Sequence, residues 1–492
     1  MKRSQDDSFA LLALTVAVAW FGAVACSSEA EKGTRDSGVT ADAGAEGRGG
    51  DGGGEGAGQL PDSAEGRALG WVMAALNGAP PTEEDVAARF SAAFLSQVPP
   101  AQVIDVLAQL SASGPWTVIG FEGPSGPSGQ PGQPDLASLT AVVTRGDGRY
   151  WRILVALDGL GKIGGLLLVS AGDLDPALQS WDAIEQALTA LPGKVNLLAA
   201  ELGDDASSTA CTPLHTVAAD SSLTVGSTFK LWVLAALAED IRVGKHTWTD
   251  TLAIQDQHKS LPSGMLQDQP VGTLLPLRTY ANQMIAISDN TAADHLLFFV
   301  GRDVVEAMVS RTGHHDPMQN QPFLATRELF NLKLMATAAE QQSYVGASVT
   351  ERRALLETYN AAYDPRLYTG LLWTQPRAID KLEWFATPGD LCGVVRALRD
   401  YGDQAATQPV RDILAANPGI GDASGAFSYI GFKGGSEPGV LNLTWLLRRR
   451  VDQKWLFLTM GFNDPTREVD EDTAVYLAAA ARGLLGAPPA TN

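Results

Sequence analysis

The chain has 492 residues, a formal net charge of -20 and 45% hydrophobic residues. Its length exceeds one ordinary domain and implies two folded units plus extensions, with enough apolar residues for a core in each. Its acidity excludes a nucleic-acid binder, which needs a clustered basic face. The nearest approach to a basic run, Arg448-Arg449-Arg450, follows Trp445-Leu446-Leu447 and reads as a solvated strand end.

Lys2 and Arg3 precede an apolar stretch ending at Ala25, so residues 1–25 read as an export signal. It closes on Ala23-Val24-Ala25-Cys26, which resembles a bacterial lipoprotein lipobox. That resemblance implies an acylated Cys26, a membrane anchor, and a cell-envelope lipoprotein in the periplasm or at the cell surface. A plain cleaved signal and an uncleaved spanning helix are the competing readings, and all three put the remainder outside the cytoplasm. Residues 26–61 are Gly, Ala, Asp, Glu and Ser with almost nothing large and apolar, which reads as a flexible tether. Once Cys26 is lipid-modified, Cys211 and Cys392 remain as the possible pair: a disulfide or two buried thiols.

Residues 62–172 form a first unit. Leu69, Val72, Met73 and Leu76 recur at helix spacing. Thr82-Glu83-Glu84-Asp85 resembles a capping box ahead of Val86, Phe90 and Phe94, and a third helix covers 101–110. Strand-like runs follow at 116–121, 139–144, 150–157 and 164–170, with a Pro/Gly/Ser loop over 123–134. Helices followed by an antiparallel sheet describe a small α+β cone. No titratable constellation is visible within it, so it reads as a packing or partner-binding module.

Residues 188–489 form a second unit. Strand-like runs at 195–202 and 211–218 come first, a long helical middle follows, and runs at 427–432, 440–447 and 455–461 precede a last helix over 471–485. Strands at both ends around a helical middle imply one antiparallel sheet built from both ends, with an inserted all-helical lobe.

Three motifs in this unit carry chemistry. Gly226-Ser227-Thr228-Phe229-Lys230 opens a helix, so Ser227 sits where free N–H groups and the helix dipole favour negative charge. Lys230, one turn on, reaches the same hydroxyl, and a half-buried lysine can lose its proton near neutrality. Ser288-Asp289-Asn290 reads as a helix cap. Lys433-Gly434-Gly435-Ser436 ends a strand with glycines that admit a ligand close to the backbone. Each is ordinary alone.

In that order, Ser-x-x-Lys, Ser-Asp-Asn and a late Lys-Gly-Gly resemble the class A β-lactamases and penicillin-binding proteins. Leu261-Pro262-Ser263-Gly264 and the segment from Ile285 to Asp294 add to the likeness. The resemblance implies an α+β fold, an acyl-enzyme on Ser227, Lys230 as its base and Ser288 as a proton relay. It also implies Asn290 as a positioner of Lys230 and substrate, and Lys433 as a positive charge for a substrate carboxylate. Gly435 joins the substrate edge, and the N–H groups of Ser227 and Ser436 make an oxyanion hole. Gly434 departs from the usual hydroxyl residue, which implies either that Ser436 takes the carboxylate contact or that carboxylate recognition is weaker.

Class A enzymes carry a water-activating glutamate between the second and third motifs. The candidate here is Glu328, in Thr326-Arg327-Glu328-Leu329-Phe330-Asn331-Leu332, but the spacing to Asn331 is off by one. Leu329, Leu332 and Met335 against Glu328 and Lys333 read instead as a plain amphipathic helix. The two-unit order, with Trp384-Phe385-Ala386-Thr387-Pro388, is similar to the two-domain serine hydrolases whose type member is encoded in the clavulanic acid biosynthesis cluster. That likeness implies a steroid-isomerase-like (NTF2-like) first unit and weak esterase action.

The expected activity is therefore hydrolysis of a β-lactam or ester through an acyl-serine. D,D-peptidase action on cell-wall peptides, or non-turnover binding of penicillin or peptidoglycan, stands as the alternative. No metal or cofactor is implied; His314-His315-Asp316 reads as a solvated turn.

Overall fold

The computed structural model describes residues 58–122, 137–203, 211–260, 263–367, 373–421 and 425–487. The export signal, Cys26, the glycine-rich tether up to residue 57, the 123–134 loop and Leu261-Pro262 lie outside the described residues.

Leu69, Val72 and Leu76 line one face of the helix Ala64–Asn77, as their spacing predicts, and are fully buried. Thr82 and Asp85 cap the next helix, Glu83–Arg89, reciprocally. That helix stops before Phe90 and a new short one, Ala92–Leu95, carries Phe94, so the predicted apolar face is split between two elements. After the helix Pro100–Ser111 come β1 (Thr117–Glu122), β2 (Ala137–Thr144), β3 (Tyr150–Leu157) and β4 (Ile163–Ser170). They pair in sequence order, all antiparallel. The helices pack their apolar stripes on this sheet through Leu107, Val143, Ile153 and Val155. The unit does hold a charged cluster that periodicity could not reveal: Arg152, 5% exposed, makes paired bonds to Glu122 and Asp173.

The helix Trp181–Thr189 leads into the larger unit. β5 (Lys194–Leu202) and β6 (Cys211–Val217) precede the short β7 (Leu223–Thr224), β8 (Thr251–Ala253), β9 (Leu274–Pro276) and β10 (Phe385–Ala386). The late strands are β11 (Phe427–Glu437), β12 (Val440–Arg449) and β13 (Trp455–Asn463). The five-stranded sheet runs β11-β12-β13-β5-β6, so both ends of the unit build it. Alternation along β13 explains its layering: Trp455 and Phe457 face the helical lobe, whereas Leu456, Leu458 and Met460 face the last helix, Glu471–Gly486.

Three readings are sharpened or changed. β11 runs on to Glu437, past the expected 427–432 run, and carries Lys433-Gly434-Gly435-Ser436 at its end. Arg449 is not solvated: it is 6% exposed, pairs with Asp452 and caps the last helix at the Leu485 carbonyl, 3.0 Å away. Cys211 and Cys392 form a disulfide joining β6 to the helix Pro388–Gly402. The two units meet where Arg149 bonds Asp472 at 2.9 Å and the Tyr150 N–H donates to the Tyr476 hydroxyl.

Candidate active site

Ser227 lies in a one-turn 3-10 segment, Gly226–Phe229, that runs straight into the helix Lys230–Arg242. The turn is held from both sides. The Val225 N–H donates to the Trp384 carbonyl, and the Phe229 ring stacks on Trp384 at 3.8 Å. Gly226 has φ +49°, a conformation that favours glycine. Ser227 itself is only half-buried and open to a ligand.

Lys230 is wholly buried beneath it. Its Nζ lies 3.2 Å from Ser227 Oγ, 2.6 Å from the Ser288 carbonyl, 3.0 Å from Ser288 Oγ and 2.7 Å from Asn290 Oδ1. Burial pulls its pKa down to about 7, against the opposing pull of Asp289 and Asp294. A neutral amine has two N–H donors and one lone pair. The two shortest contacts can take the donors, leaving the lone pair for the Ser227 proton.

Ser288 reaches this position through a left-handed backbone, φ +58°, rare for a residue with a side chain. Its neighbours hold it there. Asp289 accepts the N–H groups of Met265, Leu266 and Ala292, and the Ser263 hydroxyl donates to the Ser288 carbonyl at 2.8 Å. Ser263, quoted above only for resemblance, is thus part of the site's frame. Lys433, on β11, brings its Nζ to 3.0 Å from Ser288 Oγ. Burial, and then the Lys230 charge, push the Lys433 pKa well below the ordinary lysine value.

β11 approaches the Ser227 turn so closely that only glycine fits at 435. A Cβ there would stand 2.1 Å from the Val225 carbonyl oxygen and 2.5 Å from Ser227 N. A Cβ on Gly226 would stand 3.2 Å from Ser436 N, so both amide nitrogens border one gap. Gly434 has a local reason too: the Phe432 ring occupies the space where a side chain at 434 would begin, 2.9 Å away.

Ser227, Lys230, Ser288, Asn290 and Lys433 therefore converge, with Gly435 and Ser436 along the edge; Cys26 lies outside the described residues. Glu328 does not join them. It accepts two bonds from Arg302, at 2.7 and 2.9 Å, and further ones from the Ala325 N–H and Asn360. The plain amphipathic helix is corrected here. The helix Thr326–Phe330 passes into a π-turn, Asn331–Met335, and both Glu328 and Lys333 are buried. Lys333 is paired with Glu383 and Glu437, a triad that sequence spacing could not expose because its members lie on three separate segments. Asp294 accepts from Thr326 and Arg327, tying this stretch to the helix Asn290–Val300, and burial pushes its carboxyl up to about 7.

The predicted solvated turn at His314-His315 is also partly corrected. His314 is buried against the Phe385 carbonyl, and His315 bonds Asp390 rather than Asp316. These two and Asp390 come within metal-ligand spacing of one another. Asp390 accepts the His315 and Thr387 N–H groups at the start of the helix Pro388–Gly402, and His314 braces β10 at the Phe385 carbonyl.

Residues 179–362 match the model of the β-lactamase enzyme family, and they contain the first two motifs in the geometry just described. The larger unit is β-lactamase-like. Residues 60–163 match a second model, the ORF 12 gene product N-terminal region, compatible with a two-unit architecture. Among solved structures, the chain is similar to a β-lactamase from Sphaerobacter thermophilus at 19% identity, covering 62% of this chain and 96% of that one, with a TM-score of 0.43. It is similar to PBP-A at 15% identity (63% and 95% covered, TM-score 0.42) and to a β-lactamase from Francisella tularensis at 15% (62% and 97% covered, TM-score 0.43). No curated protein matches the chain.

Proposed function

We propose that the β-lactamase-like unit is an acyl-serine hydrolase of β-lactams or esters that acylates readily and deacylates slowly. The observation that carries this is the 3.2 Å contact between Ser227 Oγ and the buried Lys230 Nζ, whose remaining neighbours are all oxygen acceptors. Lys230, neutral near pH 7, takes the Ser227 proton as the oxygen attacks the carbonyl. Charge developing on the carbonyl oxygen meets the N–H groups of Ser227 and Ser436. Ser288, bonded to both lysines, passes the proton on to the leaving group, and Lys433 supplies positive charge for a substrate carboxylate.

Slow deacylation follows from Glu328. Its two oxygens are committed to Arg302, so it is not free to activate water. The same observation favours a second reading, a penicillin- or peptidoglycan-binding protein that acylates once and stops. D,D-peptidase action remains a variant of the first reading. Lys2, Arg3 and the small residues before Cys26 support a lipid-anchored, exported protein in the cell envelope; loss of labelled-lipid incorporation in Cys26→Ser tests that.

The enzymatic test follows intact mass and product release together, using a reporter penicillin and a reporter cephalosporin, with Ser227→Ala as control. A stable adduct that needs Ser227, with product stopping near one equivalent, supports slow turnover. Product accumulating over many turnovers overturns it. Absence of both adduct and product, with simple esters untouched, overturns the acyl-serine reading itself.

A further inference from the structure

A cavity of about 340 Å³ lies between the two units. Leu110, Trp151 and Leu168 line it from the smaller unit, and Ile420, Phe432 and Val475 from the larger. It is separate from the acylation site: Phe432 and Lys433 are successive residues of β11, and successive side chains of a strand point to opposite faces.

Its wall is unusual in what it leaves unpaired. Gln109 Oε1, Trp151 Nε1, Ser170 Oγ and Glu471 Oε2 are all buried without a hydrogen-bond partner from the protein, and all four residues line this cavity. Trp151 and Ser170 are 8% and 5% exposed. Buried polar atoms are nearly always bonded, because leaving one unmade costs about 1–3 kcal/mol. Four in one wall, drawn from both units, are what a site built for a ligand with its own donors and acceptors contains. The volume falls within the range of small-molecule sites.

Charge narrows the ligand. Among the described residues of the wall the cation is Arg145, and its guanidinium is held by Asp147 and Asp472. With its charge balanced by these two carboxylates, Arg145 offers an anion little attraction. Burial, with Glu468 nearby, pushes the Glu471 carboxyl up to about 7, toward its neutral form.

We propose that this cavity is a binding site for a neutral, largely apolar small molecule with a hydrogen-bonding edge. The apolar body packs between Leu168 and Phe432, and its polar edge meets the unpaired atoms of Gln109, Trp151, Ser170 and Glu471.

Fluorescence titration of the full chain with 1-aminoanthracene, a neutral aromatic amine, tests this, run in parallel on the Ser227→Ala variant so that binding is read independently of acylation. The expected result is saturable binding near one equivalent in both. Filling the cavity with Val475→Trp, or from the opposite wall with Ser113→Trp, weakens it at least about tenfold. Circular dichroism identifies whichever variant keeps the fold. An anionic probe, 1-anilinonaphthalene-8-sulfonate, competes poorly. No saturable binding by the folded chain, undiminished binding in a folded filling variant, or equal competition by the anion overturns the proposal.

Discussion

Lys230 and Lys433 meet on one hydroxyl: each ammonium nitrogen stands 3.0 Å from Ser288 Oγ. Burial lowers both lysine pKa values, and the Lys230 charge lowers that of Lys433 further. The base form of Lys230 is the deprotonated one, so acylation rises as pH climbs through about 7 and levels above it. Stopped-flow measurement of adduct formation reads the inflection. Lys230→Met removes it and slows acylation by roughly 10²–10⁴-fold. A rate independent of pH through this range is incompatible with Lys230 as the base.

Gly435→Ala places a methyl group 2.1 Å from the Val225 carbonyl oxygen. β11 has to retreat from the Ser227 turn, which widens the gap bordered by the two amide nitrogens. The expected loss is in the acylation rate rather than in binding, on the order of 10²–10³-fold. Single-turnover kinetics separate the two, and an unchanged rate would contradict the oxyanion assignment.

Glu328→Gln weakens the paired bond that buried Glu328 makes to Arg302, and the expected effect is on stability, about 3–5 kcal/mol. Denaturant unfolding measures it. The rate of adduct breakdown should stay unchanged in variant protein that remains folded; a marked slowing would restore Glu328 as a water-activating base.

Lys333→Met leaves Glu383 and Glu437 facing one another in a buried site, and unfolding should become easier by about 3–5 kcal/mol. Glu437→Gln should be far milder at neutral pH. Burial and Glu383 push the Glu437 carboxyl well above its ordinary range, so an uncharged amide imitates the protonated acid. Equal losses in the two variants would contradict the raised Glu437 pKa.

Replacing Cys211 and Cys392 by serine opens a loop with a sequence separation of 181. The expected loss is about 2–5 kcal/mol, read as a lower denaturation midpoint. Acylation by the folded variant should persist, because the disulfide ties β6 to the helix Pro388–Gly402 and touches none of the motif residues.

The site was legible in the sequence because its residues come as three short motifs, each fixed by local geometry. A serine and a lysine one helical turn apart meet whatever the rest of the chain does. The sheet was legible because β5, β12 and β13 carry long apolar runs, which are visible without knowing their partners. The segment after Thr326 was not. Glu328 and Lys333 look like a solvated face at helical spacing, and only distant partners, Arg302 in one case and Glu383 with Glu437 in the other, make them interior. Arg449 misled for the same reason, since the Leu485 carbonyl that buries it lies far along the chain. The pairing of Cys211 with Cys392 also depended on a fold that brings their Cα atoms to 6.5 Å.

The strand order β11-β12-β13-β5-β6 has a consequence in time. During synthesis, β5 and β6 emerge with Ser227 and Lys230 close behind, yet β5 gains its other neighbour only when residues 455–463 have been made. Lys433 and the Ser436 amide arrive in that same late portion. A growing chain therefore displays Ser227 long before it owns the strand that borders it. On the proposed mechanism, a chain truncated before β11 lacks Lys433 and the Ser436 amide, and β5 lacks one of its two neighbours.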